Sequence, residues 1–352
     1  MKGLVLEGGG VRGSYQVGAF YAFRDCKIKF KGFVGTSIGS FNAAMLASGK
    51  ERELLKFWYE IDPGIALNFD SRFVNSFNGK NETSIKALIG AFSTLKGIVK
   101  NFGIDYTKLL SIIQNVLDYD RLKFSDNDYG LVTIRISRKQ GIKPLYIYKE
   151  DIDDVDKLIE YIMASCYLPI FKHKRIIDNH YYLDGGFYDN SPFKLLIDKG
   201  YDDIYIVNIK GLGLNRGIPD NVKVTYITPS RYTGGVLELN RKIIKDNIMM
   251  GYYDTLRVLK KLDGYKYCFK RRNNFYYKFL CRKIDKRLLR RVMNFFDVYS
   301  YKEVVLKSLE YILEKDEFDY YDVYNSYKLI KKYRKNTNKK FIYRFIKEVK
   351  FF

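Results

Sequence analysis

Short unbroken apolar runs punctuated by glycine mark the front of the chain, and longer stripes at helical spacing mark its end. Residues 3–7 (GLVLE) predict a buried strand, the glycines after them a tight turn, and residues 14–24 a helix packed close to that strand. A second strand at 30–35 runs into Thr36-Ser37-Ile38-Gly39, and the small residues of 40–49 (SFNAAMLASG) predict a buried helix with a glycine stop. From 69 to 126 the pattern is mainly helical, with segments near 82–100 and 105–117, and this stretch is expected to form a cap or lid insertion. Strand patterns return at 131–137 and 145–148, a helix at 155–165, a strand at 180–183, a helix near 193–199, and strands at 203–209 and 223–227. Such alternation predicts an α/β layered domain. Beyond Gly235 only helical periodicity is evident. A glycine break near residue 264 divides the chain into a front domain, 1–264, and a basic all-helical C-terminal extension, 265–352.

Composition narrows the class. A chain of 352 residues that is 47% hydrophobic with only 6 Pro is neither disordered nor of low complexity, and it is long enough for a large core. Cys26, Cys166, Cys268 and Cys281 have neither the density of a disulfide scaffold nor paired C-x-x-C spacing, so reduced thiols, a cytoplasmic setting and no metal are expected. The opening MKGLVLEGGG lacks a signal-peptide core, and no run of 18 uncharged apolar residues suggests a membrane span. The net charge of +22 is uneven, for residues 265–352 hold 24 Lys/Arg against 10 Asp/Glu. A polyanion, either nucleic acid or an anionic lipid surface, is a plausible neighbour for that quarter.

Three glycine-bearing motifs carry candidate chemistry. Gly8-Gly9-Gly10-Val11-Arg12-Gly13 fits G-x-G-x-x-G between strand and helix, which suits a dinucleotide site. The second strand, however, ends in Gly35-Thr36-Ser37 where such a site wants an acid. The loop's other use is to aim backbone N–H groups at a developing oxyanion. Gly35-Thr36-Ser37-Ile38-Gly39 is G-x-S-x-G with strand before and helix after, the context of a nucleophile elbow, though alone it is also an ordinary Gly/Ser turn. A serine nucleophile needs a base, and only His173 and His180 exist, with no histidine after Asp184 or any later acid. Asp184-Gly185-Gly186 is the alternative partner, an acid at a strand end with open space beside it; in isolation it reads as a type II turn with a solvated Asp. An ordinary Asp is a poor base at neutral pH, so such a site must work by fixed geometry, desolvation and a strong oxyanion hole.

Glycine loop, serine elbow and D-G-G in this order, with Ala164-Ser165 and Pro169 upstream of the acid, resemble the patatin-like phospholipase family over roughly residues 2–264. The resemblance implies a three-layer α/β fold with a central mostly parallel sheet, no cofactor, and a Ser-Asp dyad that hydrolyses lipid esters. Carried over by position, Ser37 is the nucleophile and Asp184 its base. The Gly8, Gly9, Gly10, Arg12, Gly13 loop forms the oxyanion hole, chiefly through the N–H groups of Gly9 and Gly10. Gly35 and Gly39 shape the elbow, and Gly185 and Gly186 support the acid. Arg12 sits at the family's basic position, with a structural tie to nearby carbonyls as open as a catalytic role. The implied substrate is a phospholipid or lysophospholipid. A carboxylesterase or acylglycerol hydrolase using the same residues, and a non-catalytic lipid- or nucleic-acid-binding protein, are the rival readings.

The last residues add a partner question. Phe341, Ile342, Phe345, Ile346, Val349 and Phe352 recur at helical spacing, with Lys339, Lys340, Arg344, Lys347 and Lys350 largely on other faces. Two readings stand: the stripe docks on the chain's own extension, or it anchors the chain transiently to an anionic membrane surface. Nucleic acid ranks third, for no recognised nucleic-acid motif accompanies the aromatics.

Overall fold

The computed structural model describes residues 1–61, 107–137, 141–168 and 175–350, except 212, 215, 218, 237, 337 and 339. The helix expected near 82–100, most of the cap expected over 69–126, and Pro169, His173 and Phe352 lie outside these residues. Two compact units divide at Tyr252/Tyr253.

The first unit is built on a mostly parallel sheet. Its strands are β1 (Lys2–Leu6), β2 (Gly32–Thr36), β3 (Asp128–Ser137), β4 (Gly141–Tyr148), β5 (Tyr181–Asp184), β6 (Asp203–Val207) and β7 (Lys223–Ile227), in the order β4-β3-β2-β1-β6-β7 with β5 also on β3. The chain start therefore lies at the sheet centre, and Leu4, Val5 and Leu6 are wholly buried, as a parallel strand covered on both faces requires. On one face Val5, Val34, Val132, Ile204 and Ile206 pack with Phe193, Leu195 and Leu196, the last two from a single-turn helix (Lys194–Ile197). The other face carries α1 (Ser14–Asp25) and α2 (Ile38–Ala47). Phe23 of α1 stacks edge-on with Phe30 and Tyr205, and a Cβ on Gly39 of α2 would strike the Leu6 carbonyl. These three layers are the expected architecture.

One pairing detail positions the site. β4 occupies one edge of β3 from Gly130 to Ser137, so β2 and β5 must share the other. β2 runs parallel to β3 and ends with Thr36 opposite Val132, whereas β5 runs antiparallel and ends with Asp184 opposite Thr133. Two strands far apart in sequence thus meet end to end on adjacent residues of β3.

The second unit is helical with a small addition, a two-residue parallel pair between Cys268–Phe269 and Val323–Tyr324 that is too short to leave a periodic signal. Its core gathers Tyr277, Leu280, Val292, Leu309 and Ile330. Ile342, Phe345, Ile346 and Val349 are buried in the same core, so the terminal apolar stripe is packing surface and the anchoring reading of that stripe is corrected. Glu310, also buried, accepts hydrogen bonds from the backbone N–H groups of Tyr265, Lys266 and Tyr267. Tyr333 and Tyr343 both donate to Asp316. Each satisfies a polar group the core would otherwise strand.

Candidate active site

Ser37 leaves β2 with φ 54° and ψ −132°, a conformation that costs a non-glycine residue about 1–3 kcal/mol and persists only when its surroundings enforce it. Its N–H donates to Ser165 Oγ at 2.8 Å, and that hydroxyl donates onward to the Val132 carbonyl at 2.7 Å. Its carbonyl accepts from both the N–H and the hydroxyl of Ser40. The flanking glycines are required by contact, since a Cβ on Gly35 would overlap the Gly39 carbonyl. The glycines of G-x-S-x-G thus sit where the β2-to-α2 turn leaves no room for a side chain.

Asp184 ends β5 and is only 5% exposed. Its Oδ1 accepts from Gly186 N–H at 2.8 Å, and the Ser37 side chain lies close enough to its carboxyl to favour the ionised form. Burial raises its carboxyl from 3.8 to about 6, with Ser37 and the Gly186 hydrogen bond opposing the rise. Gly185 has no room for a side chain, because a Cβ would enter the Val132 carbonyl. The solvated-turn reading of D-G-G is therefore corrected: the turn is a buried 3-10 turn that Asp184 itself caps. Cys166 lies beside the pair; burial first, and then the Asp184 charge, push its thiol well above the usual range, which keeps it protonated and inert.

The glycine loop closes the third side. Gly8 N–H donates to Asn190 Oδ1 at 3.0 Å, and a Cβ on Gly8 would come 2.9 Å from Ser37 Cβ. Gly10 has φ 57°, and a Cβ there would overlap the Val236 carbonyl, which accepts the Val11 N–H at 2.9 Å. Among the described residues the N–H groups of Gly9 and Gly10 donate to no acceptor. Arg12 donates from Nε to Gly234 O at 2.9 Å and from Nη1 to Lys210 O at 2.6 Å, the structural tie of the two roles left open. Gly13 is closed in by Ile38 and Trp58. A buried polar relay braces both ends of the loop: Gln16 Nε2 donates to Glu7 O, Asn42 Nδ2 to Gly13 O and Gln16 Oε1, and Trp58 Nε1 to Asn42 Oδ1.

Ser37, Asp184 and the glycine loop, drawn from three distant stretches, therefore converge at one point. The patatin-like phospholipase family model matches residues 4–197 of the chain, more than half its length and all three motifs. The chain belongs to this family. As a patatin-like phospholipase it is a lipid acyl hydrolase. No curated protein matches its sequence. Among solved structures, VipD from Legionella pneumophila is similar at 13% identity over 95% of this chain and 79% of that one, with a TM-score of 0.40. Full-length ExoU of the Pseudomonas aeruginosa type III secretion system, solved with SpcU, is similar at 12% identity over 98% and 70%, with a TM-score of 0.37.

Several residues of this patatin-like site carry no motif of their own. Asn190 and Ser191 follow D-G-G closely, and that proximity is the one signal that could have marked them. Glu7 is the clearest case: fully buried just after β1, it accepts from Ser191 Oγ at 3.0 Å. Burial raises its carboxyl from 4.5 to about 7, with nearby Asp189 adding to the rise. A group raised on folding contributes stability in full below its unfolded value and loses it as pH rises through its folded value. Glu7→Gln, which does not ionise, is therefore expected to match the wild type in thermal melts near pH 4 and to exceed it increasingly from pH 5 to pH 8. An equal melting difference at both ends of that range would show that Glu7 is not ionising inside the fold.

Proposed function

We propose that the chain hydrolyses carboxylic esters of phospholipids or lysophospholipids through a Ser37–Asp184 dyad. The observation that carries this reading is the placement of the Ser37 side chain, at a glycine-enforced elbow, close enough to the buried Asp184 carboxyl to hold its pKa down. Asp184 takes the Ser37 hydroxyl proton as Oγ attacks the ester carbonyl, and the N–H groups of Gly9 and Gly10 stabilise the tetrahedral oxyanion. Collapse breaks the bond to the leaving alcohol, which takes the proton from Asp184 and leaves an acyl-serine. Water then gives a proton to Asp184 and attacks the acyl carbon; collapse releases the fatty acid and returns the proton to Ser37. Each step uses only the chain's own groups and water. A carboxyl raised to about 6 is a stronger base than an ordinary aspartate yet stays ionised at neutral pH.

The reading includes a cytoplasmic location with transient contact to anionic lipid; the four free cysteines agree with it. A fluorophosphonate probe is expected to label the full-length chain and to leave Ser37→Ala unlabelled. Labelling that persists in Ser37→Ala, or is absent from the wild type, would overturn the dyad. Release of fatty acid from diacyl, lyso and neutral glyceride substrates by the labelled enzyme would then fix the substrate class.

A further inference from the structure

We propose that the outward face of the helix Lys286–Phe296 in the second unit is a docking surface for anionic lipid bilayers. The proposal deepens the lipid-hydrolase reading and rests on it for the choice of a membrane over other polyanions. The helix buries Leu288 and Val292 and packs Leu289, Met293 and Phe296 against its unit's core. Its opposite side carries Lys286, Arg287, Arg290 and Arg291, all exposed and, among the described residues, in no ion pair, though the Arg291 guanidinium lies 4.6 Å over the Phe341 ring. The neighbouring acid, Asp285, is committed to the helix N-terminus through Leu288 N–H.

Like charges three and four residues apart weaken a helix by about 0.2–0.5 kcal/mol per pair, so this face is unfavourable until something anionic covers it. It is also richer in arginine than the rest of the chain. Between Lys286 and Phe296 it holds four Lys/Arg, three of them arginine, and no acid. Arginine forks suit phosphate oxygens. At the far end of the row Phe295 is 53% and Tyr299 90% exposed, rings of the kind that settle at headgroup level. No aromatic residue interrupts the cations between 286 and 291, whereas stacking on single-stranded nucleic acid wants rings among them. Because the terminal stripe is buried, contact would be electrostatic docking rather than helix insertion.

The test uses full-length chain carrying Ser37→Ala, so that no lipid is consumed. It is expected to sediment with phosphatidylcholine vesicles containing one-third phosphatidylglycerol, to ignore pure phosphatidylcholine, and to release as salt rises. At about 1 kcal/mol per cation, Arg287→Ala/Arg290→Ala/Arg291→Ala should weaken partition by about 10²-fold. The matched control Lys328→Ala/Lys331→Ala/Lys335→Ala, three exposed cations elsewhere in the unit, should stay close to the parent. Single Arg290→Glu gives the same reading should the triple variant fail to fold. Parent-like binding by both α-helix variants, equal loss in the lysine control, no binding by the parent, or tighter binding of a single-stranded oligonucleotide at the same ionic strength would each overturn the surface. Hydrolysis of a soluble short-chain ester by chains with Ser37 intact reports on the dyad separately, so either proposal can fail alone.

Discussion

Asp184→Asn is expected to lower kcat/KM for a soluble ester by about 10⁴-fold while making the protein more stable above pH 6. Both effects come from the same burial. Asparagine keeps the shape and can still accept the Gly186 N–H, yet it cannot take the Ser37 proton, so the nucleophile loses its base. In the folded chain the Asp184 carboxyl is raised from 3.8 to about 6, which means that the native state holds its proton more tightly than the unfolded state. The stability from this group is full below about pH 4 and is lost as pH rises through about 6. Asparagine escapes that loss, so its thermal midpoint should equal the wild type's near pH 4 and exceed it at pH 8. Wild-type kcat/KM should rise about tenfold per unit up to about pH 6 and then level, as expected for a base that must be ionised. Ser37→Ala should be as inactive, whereas His180→Ala should retain most activity. Its described backbone bonds reach only Ile176 and Ile177. Near-normal turnover in Asp184→Asn, or collapse of activity in a folded His180→Ala or His173→Ala, would replace the dyad by a different base.

That stability gain would identify the site as a place where function is held against folding. Such places are legible in sequence when the constraint is steric and local. Gly35, Gly39 and Gly185 stand out because a Cβ at each would meet a backbone carbonyl, and only glycine satisfies that. The elements around them were readable too, since 155–165 and 223–227 are periodic in themselves and coincide with the observed helix and strand. What no periodicity carries is the meeting of β2 and β5 on β3. It depends on β3 reaching back to Asp128, three residues before the strand pattern begins at 131, and on a register set by tertiary pairing. Asn190 and Glu7 were unreadable for a related reason: each is a buried polar side chain whose partner lies more than a hundred residues away. The stripe at 341–349 shows the opposite limit. Its amphipathic period is plain, but period alone does not say whether its own core or a bilayer covers it, and here the core does.

The glycine loop yields the second large effect. Gly10→Ala should reduce kcat by about 10²-fold or more, with KM changed far less. Alanine must adopt φ near 57° and its Cβ would occupy the position of the Val236 carbonyl, so the loop can keep its path only by breaking the Val11 N–H bond to that carbonyl. The N–H groups of Gly9 and Gly10, which have no acceptor among the described residues, would then turn from the point where an oxyanion would form beside Ser37. Loss of fold could mimic this result, because residues forced into such a conformation cost about 1–3 kcal/mol. Gly200→Ala separates the two. Gly200 has φ 82° with open space around a would-be Cβ, and its turn lies in none of the three motifs. That variant should lose stability alone and keep wild-type kcat. If Gly10→Ala kept wild-type kcat as well, the loop would not be the oxyanion donor, and tight binding of NAD or FAD by the chain would then assign its glycines to a phosphate instead.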